Sequence, residues 1–379
     1  MILVFFLLHF TGDFYNSFIN PLLPAFAHKF SLTLTQVGLI AGISRILSFV
    51  VQPPIGYVGD HYRTRFFILG GPLLSIIFVP FTGIAPNFGI LLCFVSLGCV
   101  GASMFHPTAA GMVSAYAGSR FAFSMSFFNF GGTLAFGVGP VFITWFVARY
   151  GLKASSYTAI LGLVLMAFLF RRVPLPTHEG LKNYGFIGSL KEVFGGVWKP
   201  ILLIWGMGVL RAFVCQSFLT FVPVLYSREG YSLVSVGLMV SLFNVAGAVS
   251  GVAAGLMSDK IGYKPVFYLS FFLATPALYL ILFVQKGVFA CAFLGGFFIL
   301  ATLPLFLSMA MEIAPRGKSM ASSLMLGLAY GTGGMMTPIT GKLADLYSIR
   351  TVLEVIAALP IVMMGLVYLL PGKKSNSNL

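Results

Sequence analysis

Twelve apolar runs, most of them about 18 residues or longer, divide this chain from one end to the other. They lie near residues 2–27, 35–57, 66–86, 88–113, 120–148, 153–171, 199–226, 233–257, 265–284, 287–312, 319–345 and 351–370. A helix of about 20 apolar residues matches the hydrocarbon thickness of a bilayer, and a soluble fold has no means of hiding twelve of them. Composition agrees: the 379 residues are 58% hydrophobic and 8% charged, with a mean hydropathy of +0.97. The expectation is an all-α membrane protein with twelve transmembrane helices, and the lipid bilayer is its first partner.

The order of the runs contains a repeat. Adding 199 to Pro24, Leu34, Val37, Gly38, Leu39, Gly56 and Asp60 gives Pro223, Leu233, Val236, Gly237, Leu238, Gly255 and Asp259. The match runs without a gap, so the chain reads as two pseudo-symmetric six-helix bundles, residues 1–171 and 199–379. Residues 172–198 are the single long polar connection and form the linker between them. Two such halves in a membrane are the construction of a carrier.

Charge sets the orientation. With both termini cytoplasmic, 14 of the 23 basic residues fall in inner segments and 7 in outer ones, leaving Arg45 and Arg211 inside spans. The inside excess follows the positive-inside rule, for a plasma or inner membrane protein ending in a short cytoplasmic tail. The net charge of +14 is therefore a topology signal, and no nucleic-acid partner is expected. The first run has no basic lead and no small-residue cleavage site, and it carries Asp13, so it reads as a retained helix. The absence of a polar lead before Met1 leaves a start further upstream open. Cys93, Cys99, Cys215 and Cys291 lie inside apolar runs without metal-ligand spacing and read as packing residues, so no metal or other cofactor is expected.

Each half carries an acid after a glycine at the end of its second span. The second copy is Gly255-x-x-x-Asp259-Lys260-x-Gly262-x-Lys264; the first keeps Gly56, Asp60, Arg63 and Arg65. This pattern resembles the loop signature of the major facilitator superfamily, which implies the major facilitator fold and a gating role for the two loops. A topology-setting loop without a gating role is the plainer alternative. Several further stretches resemble the fosmidomycin-resistance branch of efflux transporters in that superfamily. They are Pro21-Leu22-Leu23-Pro24, Phe30-Ser31-Leu32-Thr33, Gln52-Pro53, Gly101 through His106-Pro107, Phe130-Gly131-Gly132, Gly139-Pro140, Gly333-Gly334 and Ala344-Asp345. Thr108 stands where that branch has an acid, and Arg45 where it has an uncharged amide.

Few polar groups lie at membrane depth, where each is costly unless paired or facing water. His9, Asp13, Asn16 and Asn20 fall within about 60° of one another at 100° per residue, a stripe expected to face a central cavity. Asp13 reads either as a proton carrier or as half of a structural ion pair, Arg45 being one partner. Arg45 shares its face with Ser48 and Gln52, and its equivalent 199 residues on is Asn244. Arg211 and Gln216 lie in the seventh run. Two buried arginines against one aspartate point to an acid-bearing substrate, unless Asp13 neutralises Arg45 and Arg211 packs on carbonyls. His106, ahead of Pro107, is a proton acceptor, a substrate contact or a satisfied core residue. Asn129 completes the candidate cavity. Gly131, Gly132, Gly139 and Pro140 in the fifth run are answered by Gly333 and Gly334 in the eleventh, as close helix packing requires.

No phosphate-cradling loop and no catalytic triad spacing occur, so neither an ATPase nor another enzyme is expected. The leading expectation is a secondary transporter with alternating access that couples protons to export of a small amphipathic or anionic compound. It would act as a monomeric antiporter, a drug or metabolite efflux protein of the antibiotic-resistance kind. An uptake carrier or exchanger for an anionic metabolite is the second reading, and a non-transporting membrane sensor or scaffold the third.

Overall fold

The structure is a computed structural model that describes residues 1–61, 65–116, 121–173, 194–284, 286–314, 321 and 324–371. The described residues are helical and connected by short turns, with no strand among them. Eleven stretches are long and apolar enough to cross a membrane. The expected run at 319–345 begins outside the described residues. Its described part is a π-helical turn at Leu324–Ala329 followed by two short helices, a wider winding where glycines are dense.

The helices, in order, are α1 (Ile2–Asn16), α2 (Ile19–Phe30), α3 (Leu34–His61), α4 (Phe66–Phe81), α5 (Phe88–Tyr116), α6 (Phe121–Tyr150) and α7 (Thr158–Phe170). Then come α8 (Trp198–Arg228), α9 (Leu233–Ile261), α10 (Tyr263–Phe283), α11 (Val288–Leu300), α12 (Thr302–Ile313), α13 (Tyr330–Met335), α14 (Thr337–Leu346), α15 (Ile349–Ala357) and α16 (Leu359–Val367). The first crossing is broken between α1 and α2. Pro21 has no N–H to offer the carbonyl of Ser17, and the chain tightens there through Phe18 N donating to Tyr15 O at 3.0 Å. Pro304 has the same effect four residues after Leu300, at the break between α11 and α12.

Two compact units emerge. The first gathers Met1–Lys182, Leu219–Ser241 and Thr337–Asp345; the second gathers Asn183–Phe218, Leu242–Met336 and Leu346–Leu379. In the first, α4 and α5 pack backbone to backbone. A Cβ on Gly71 would stand 2.6 Å from the carbonyl oxygen of Gly101, so the pair tolerates no side chain there. Tyr15 from α1 is fully buried and donates its hydroxyl to Thr158 O at 2.6 Å, fixing α1 against α7. In the second unit, the rings of Phe267 and Phe271 of α10 pack at a tilt against Phe306 of α12, with centroids 4.6 and 6.4 Å apart. Gly247 of α9 makes room for the Leu300 side chain, whose Cβ lies 2.7 Å from where a Cβ at 247 would stand. Large aliphatic and aromatic side chains such as Val164, Phe168, Val252 and Phe272 are left exposed along helix flanks, as lipid-facing surface requires.

Candidate functional site

The polar stripe of α1 is where the chemistry of the first unit gathers. His9 and Asp13 stand one turn apart, and His9 Nε2 lies 3.1 Å from Asp13 Oδ2. The other carboxylate oxygen, Oδ1, lies 3.3 Å from Nε2 of His106 on α5. His9 Nδ1 donates to the backbone carbonyl of Phe128 at 2.8 Å. A carbonyl only accepts, so that contact fixes the N–H on Nδ1 and turns Nε2 toward the carboxylate. A lone pair facing a carboxylate at 3.1 Å is repulsive; the contact is favourable when a proton sits on one partner. The Phe128 ring stacks on His9 at 4.1 Å between centroids, and Phe105 lies 5.7 Å away, so an apolar wall backs the group.

The stripe is closed off at its His9–Asp13 end, while Asn16 and Asn20 are half-buried. His9 and Asp13 are 7% and 6% exposed and press against α6. The reason is Gly132: a Cβ there would lie 2.6 Å from His9 Nε2 and 2.8 Å from Asp13 Oδ2. Without a side chain at 132, α6 closes over the carboxylate, and His106 is the half-buried member of the group. Gly131 and Gly139 continue the seam, meeting Phe6 O at 2.8 Å and Phe14 O at 2.9 Å, while the Pro140 carbonyl accepts from Thr144 Oγ1 at 2.7 Å. Asn16 donates to Gly12 O at 2.8 Å and to Ser75 Oγ at 3.0 Å, linking α1 to α4. No hydrogen bond among the described residues ties Asn20, Gln52 or Asn129 to this cluster; the first two are half-buried and Asn129 is exposed. Arg45 is half-buried on α3 and an electrostatic neighbour of His106 and Cys99. Among the described residues the ion partners of Asp13 are two imidazoles, and sequence reasoning missed the one on α5 because His106 is remote along the chain.

The ligand-type atoms of His9, Asp13 and His106 lie within 4.8 Å of one another, a donor set that also suits a divalent cation. Local spacing in the sequence offered no sign of it, since only His9 and Asp13 are close along the chain.

The second unit holds a charge of different character. Arg211 on α8 is 1% exposed, and its Nε donates to Ile299 O over a long 3.4 Å. Its two terminal nitrogens are buried and have no acceptor among the described residues. Nearby in sequence, Gln216 is buried with its Nε2 likewise unmatched. Asn244 is half-buried on α9. Gly333 of α13 fits against α8, where a Cβ would meet Val209 O at 2.5 Å and Ala212 Cβ at 2.7 Å; Gly334 is buried beside it.

At the candidate loops, Gly56 and Asp60 belong to the last turns of α3, with their side chains outside the described set, and Arg63 lies outside the described residues. Arg65 is half-buried just ahead of α4. In the second copy, Asp259 and Lys260 are exposed, and Lys264 Nζ donates to Tyr368 O at 3.1 Å. Gly255 is not a close-approach point: no atom among the described residues comes within 4 Å of where its Cβ would stand.

Ionisable groups sealed between the helices of a multi-pass membrane protein are a feature that membrane transporters use. The profile of the Major Facilitator Superfamily matches residues 5–318 and 205–379, and the chain belongs to that family. It is a membrane transporter and not an enzyme. It is similar to the fosmidomycin resistance protein of Escherichia coli (strain K12), with 27% identity over 95% of this chain and 90% of that protein. An uncharacterized MFS-type transporter, YfnC of Bacillus subtilis (strain 168), is 24% identical over 96% of this chain and 91% of its own length. Among solved structures, a bacterial homologue of the human lysosomal transporter Spinster, inward-facing and occupied, aligns with a TM-score of 0.83. It is 16% identical, and the match covers 97% of this chain and 96% of that one. The nucleoside transporter NupG aligns at 0.76 with 13% identity, covering 97% and 98% of the two chains. These two likenesses carry the fold alone.

Proposed function

We propose that the protein is a secondary active transporter working by alternating access, coupling proton movement to export of a small amphipathic or anionic compound. The observation that carries this reading is Asp13 between His9 and His106. A buried carboxylate beside an imidazole of fixed tautomer must share a proton with it, and water reaching His106 changes the stability of that arrangement. Coupling requires a group of this kind, whose proton is exchanged when one side of the membrane gains access to it.

The name of the Escherichia coli relative, fosmidomycin resistance protein, supports efflux and an antiporter of the antibiotic-resistance kind. Arg211 supports an acid-bearing substrate, because buried terminal guanidinium nitrogens without an acceptor among the described residues gain most from a ligand oxygen. The same residue is what favours the second reading, uptake or exchange of an anionic metabolite. The proposed working unit is a monomer in the plasma membrane with both termini cytoplasmic. Its halves are residues 1–171 and 199–379, joined by the linker at 172–198, and the Gly56–Asp60 and Gly255–Asp259 loops act in gating.

Proteoliposomes carrying the full chain test the proposal. Fosmidomycin and a panel of acidic metabolites are offered with and without an imposed pH gradient. Gradient-dependent movement that disappears in Asp13→Asn is the expected result. Movement indifferent to both the gradient and the substitution overturns the coupling.

A further inference from the structure

The start of α3 is held by a residue 311 positions further along the chain. Thr33 and Gln36 form a capping box, with Thr33 N donating to Gln36 Oε1 at 3.0 Å and Gln36 N to Thr33 Oγ1 at 3.2 Å. The box leaves the N–H groups of Leu34 and Thr35 unmatched. Asp345, near the end of α14, takes both: Leu34 N donates to its Oδ1 at 2.8 Å and Thr35 N to its Oδ2 at 2.9 Å. Thr35 Oγ1 adds a third bond to Oδ2 at 2.6 Å. A carboxylate is favoured at a helix N-terminus by the helix dipole as well.

Behind this contact, α3 and α14 meet along a close seam made possible by glycines. Thr337 Oγ1 donates to Gly38 O at 2.9 Å, and a Cβ at Gly42 would stand 3.0 Å from that hydroxyl. Gly341 approaches Leu34 just as closely, a Cβ there falling 2.6 Å from the Leu34 carbonyl carbon. The repeat keeps the close seam, a Cβ at Gly237 standing 2.7 Å from Pro140 O, but not the acid cap. The helix start 199 residues on, at Leu233, is capped locally by Ser232 Oγ accepting from Ser235 N at 3.1 Å. The residue 199 positions before Asp345 is Phe146. Asp345 is thus an addition to the common plan. Three polar contacts at the mouth of a smooth seam suit a joint that opens, because water can replace them at small net cost.

We propose that Asp345 is a gate latch: it holds the N-terminus of α3 against α14 in the closed state and releases it when this end of the transport pathway opens. It is a positioning residue for transport, acting through α3. The inference rests on the alternating-access reading above.

The test uses full-length protein with Cys93, Cys99, Cys215 and Cys291 replaced by serine and Ala41→Cys on α3 as reporter. Ala41 is 5% exposed, so a membrane-impermeant maleimide reaches it when the seam parts. In proteoliposomes, Asp345→Ala should raise the labelling rate roughly tenfold, with Asp345→Asn and Thr35→Val in between and Asp345→Glu restoring slow labelling. Unchanged labelling in Asp345→Ala, or in Asp345→Asn should the alanine variant not fold, overturns the latch. The unsubstituted reporter separates the two ideas. If its labelling is the same under pH gradients of either direction and with or without saturating fosmidomycin or acidic metabolite, the alternating-access reading fails, whatever the latch variants do.

Discussion

His9 and Gly132 occupy one space: the imidazole Nε2 lies 2.6 Å from where a Cβ at position 132 would stand. The closeness of α1 and α6, the burial of Asp13 and the geometry of its histidine contacts all depend on that missing side chain. A glycine here is part of the charge cluster as much as of the packing.

Gly132→Ala should therefore destabilise the protein by about 1–3 kcal/mol, the usual range for overpacking a tight interior. Gly206→Ala and Gly365→Ala, at helical positions with open space around the Cβ, should be neutral or slightly stabilising. Thermal unfolding of the purified variants in one detergent checks the contrast.

Asp13→Asn removes the charge that both imidazoles face while keeping the volume. Substrate-driven proton uptake, followed with a pH-sensitive dye inside proteoliposomes, should fall at least about tenfold, the factor set by roughly 1.4 kcal/mol. Substrate binding to the detergent-solubilised variant should remain measurable. His106→Gln should give the same loss, because it removes the half-buried member of the group.

Arg211→Gln removes a buried guanidinium whose terminal nitrogens have no acceptor among the described residues. Its stability without substrate should be equal to or higher than that of the parent, since an uncompensated charge is lost. Affinity for an acid-bearing substrate should fall about 10–100-fold, the worth of a charge-assisted hydrogen bond of roughly 1.5–3 kcal/mol. Calorimetric titration measures both the loss and its absence for neutral compounds.

Tyr15→Phe deletes the 2.6 Å hydrogen bond to Thr158 O and leaves that carbonyl buried. A cost of about 1–3 kcal/mol is expected from stranding a buried acceptor. Its transport rate per folded molecule should be unchanged, which separates this structural bond from the cluster at Asp13.

Much of the architecture is readable from the sequence because span length is a local and additive property. Each run from 2–27 to 351–370 declares itself by its own residues. The stripe on the first helix is readable for the same reason: His9 and Asp13 are a turn apart wherever that helix is placed. The partner of Asp13 is not readable in this way. Most of these helices are apolar on every side, so their sequences carry little information about rotation about the helix axis. Arg45 was the partner the sequence suggested for Asp13, while His106, remote along the chain, is the residue of α5 that packing brings to 3.3 Å from it.

Asp345 shows the same limit. In sequence it is an acid next to Ala344 near the end of an apolar run, marked only by its resemblance to a family stretch. Its role in capping α3 depends on Gly38, Gly42 and Gly341 letting two backbones touch, and that is a property of the pair.

By itself, the sequence determined the membrane class, the two-half repeat and the list of polar residues placed at membrane depth, since these follow from hydropathy and helical period alone. Only the tertiary structure decided that His106 meets Asp13, that Gly132 seals both, and that Asp345 holds α3. Lipid is as apolar as the helices it surrounds and exerts no strong torque on them. Their rotation and pairing are set by close packing and hydrogen bonds between residues far apart in the chain.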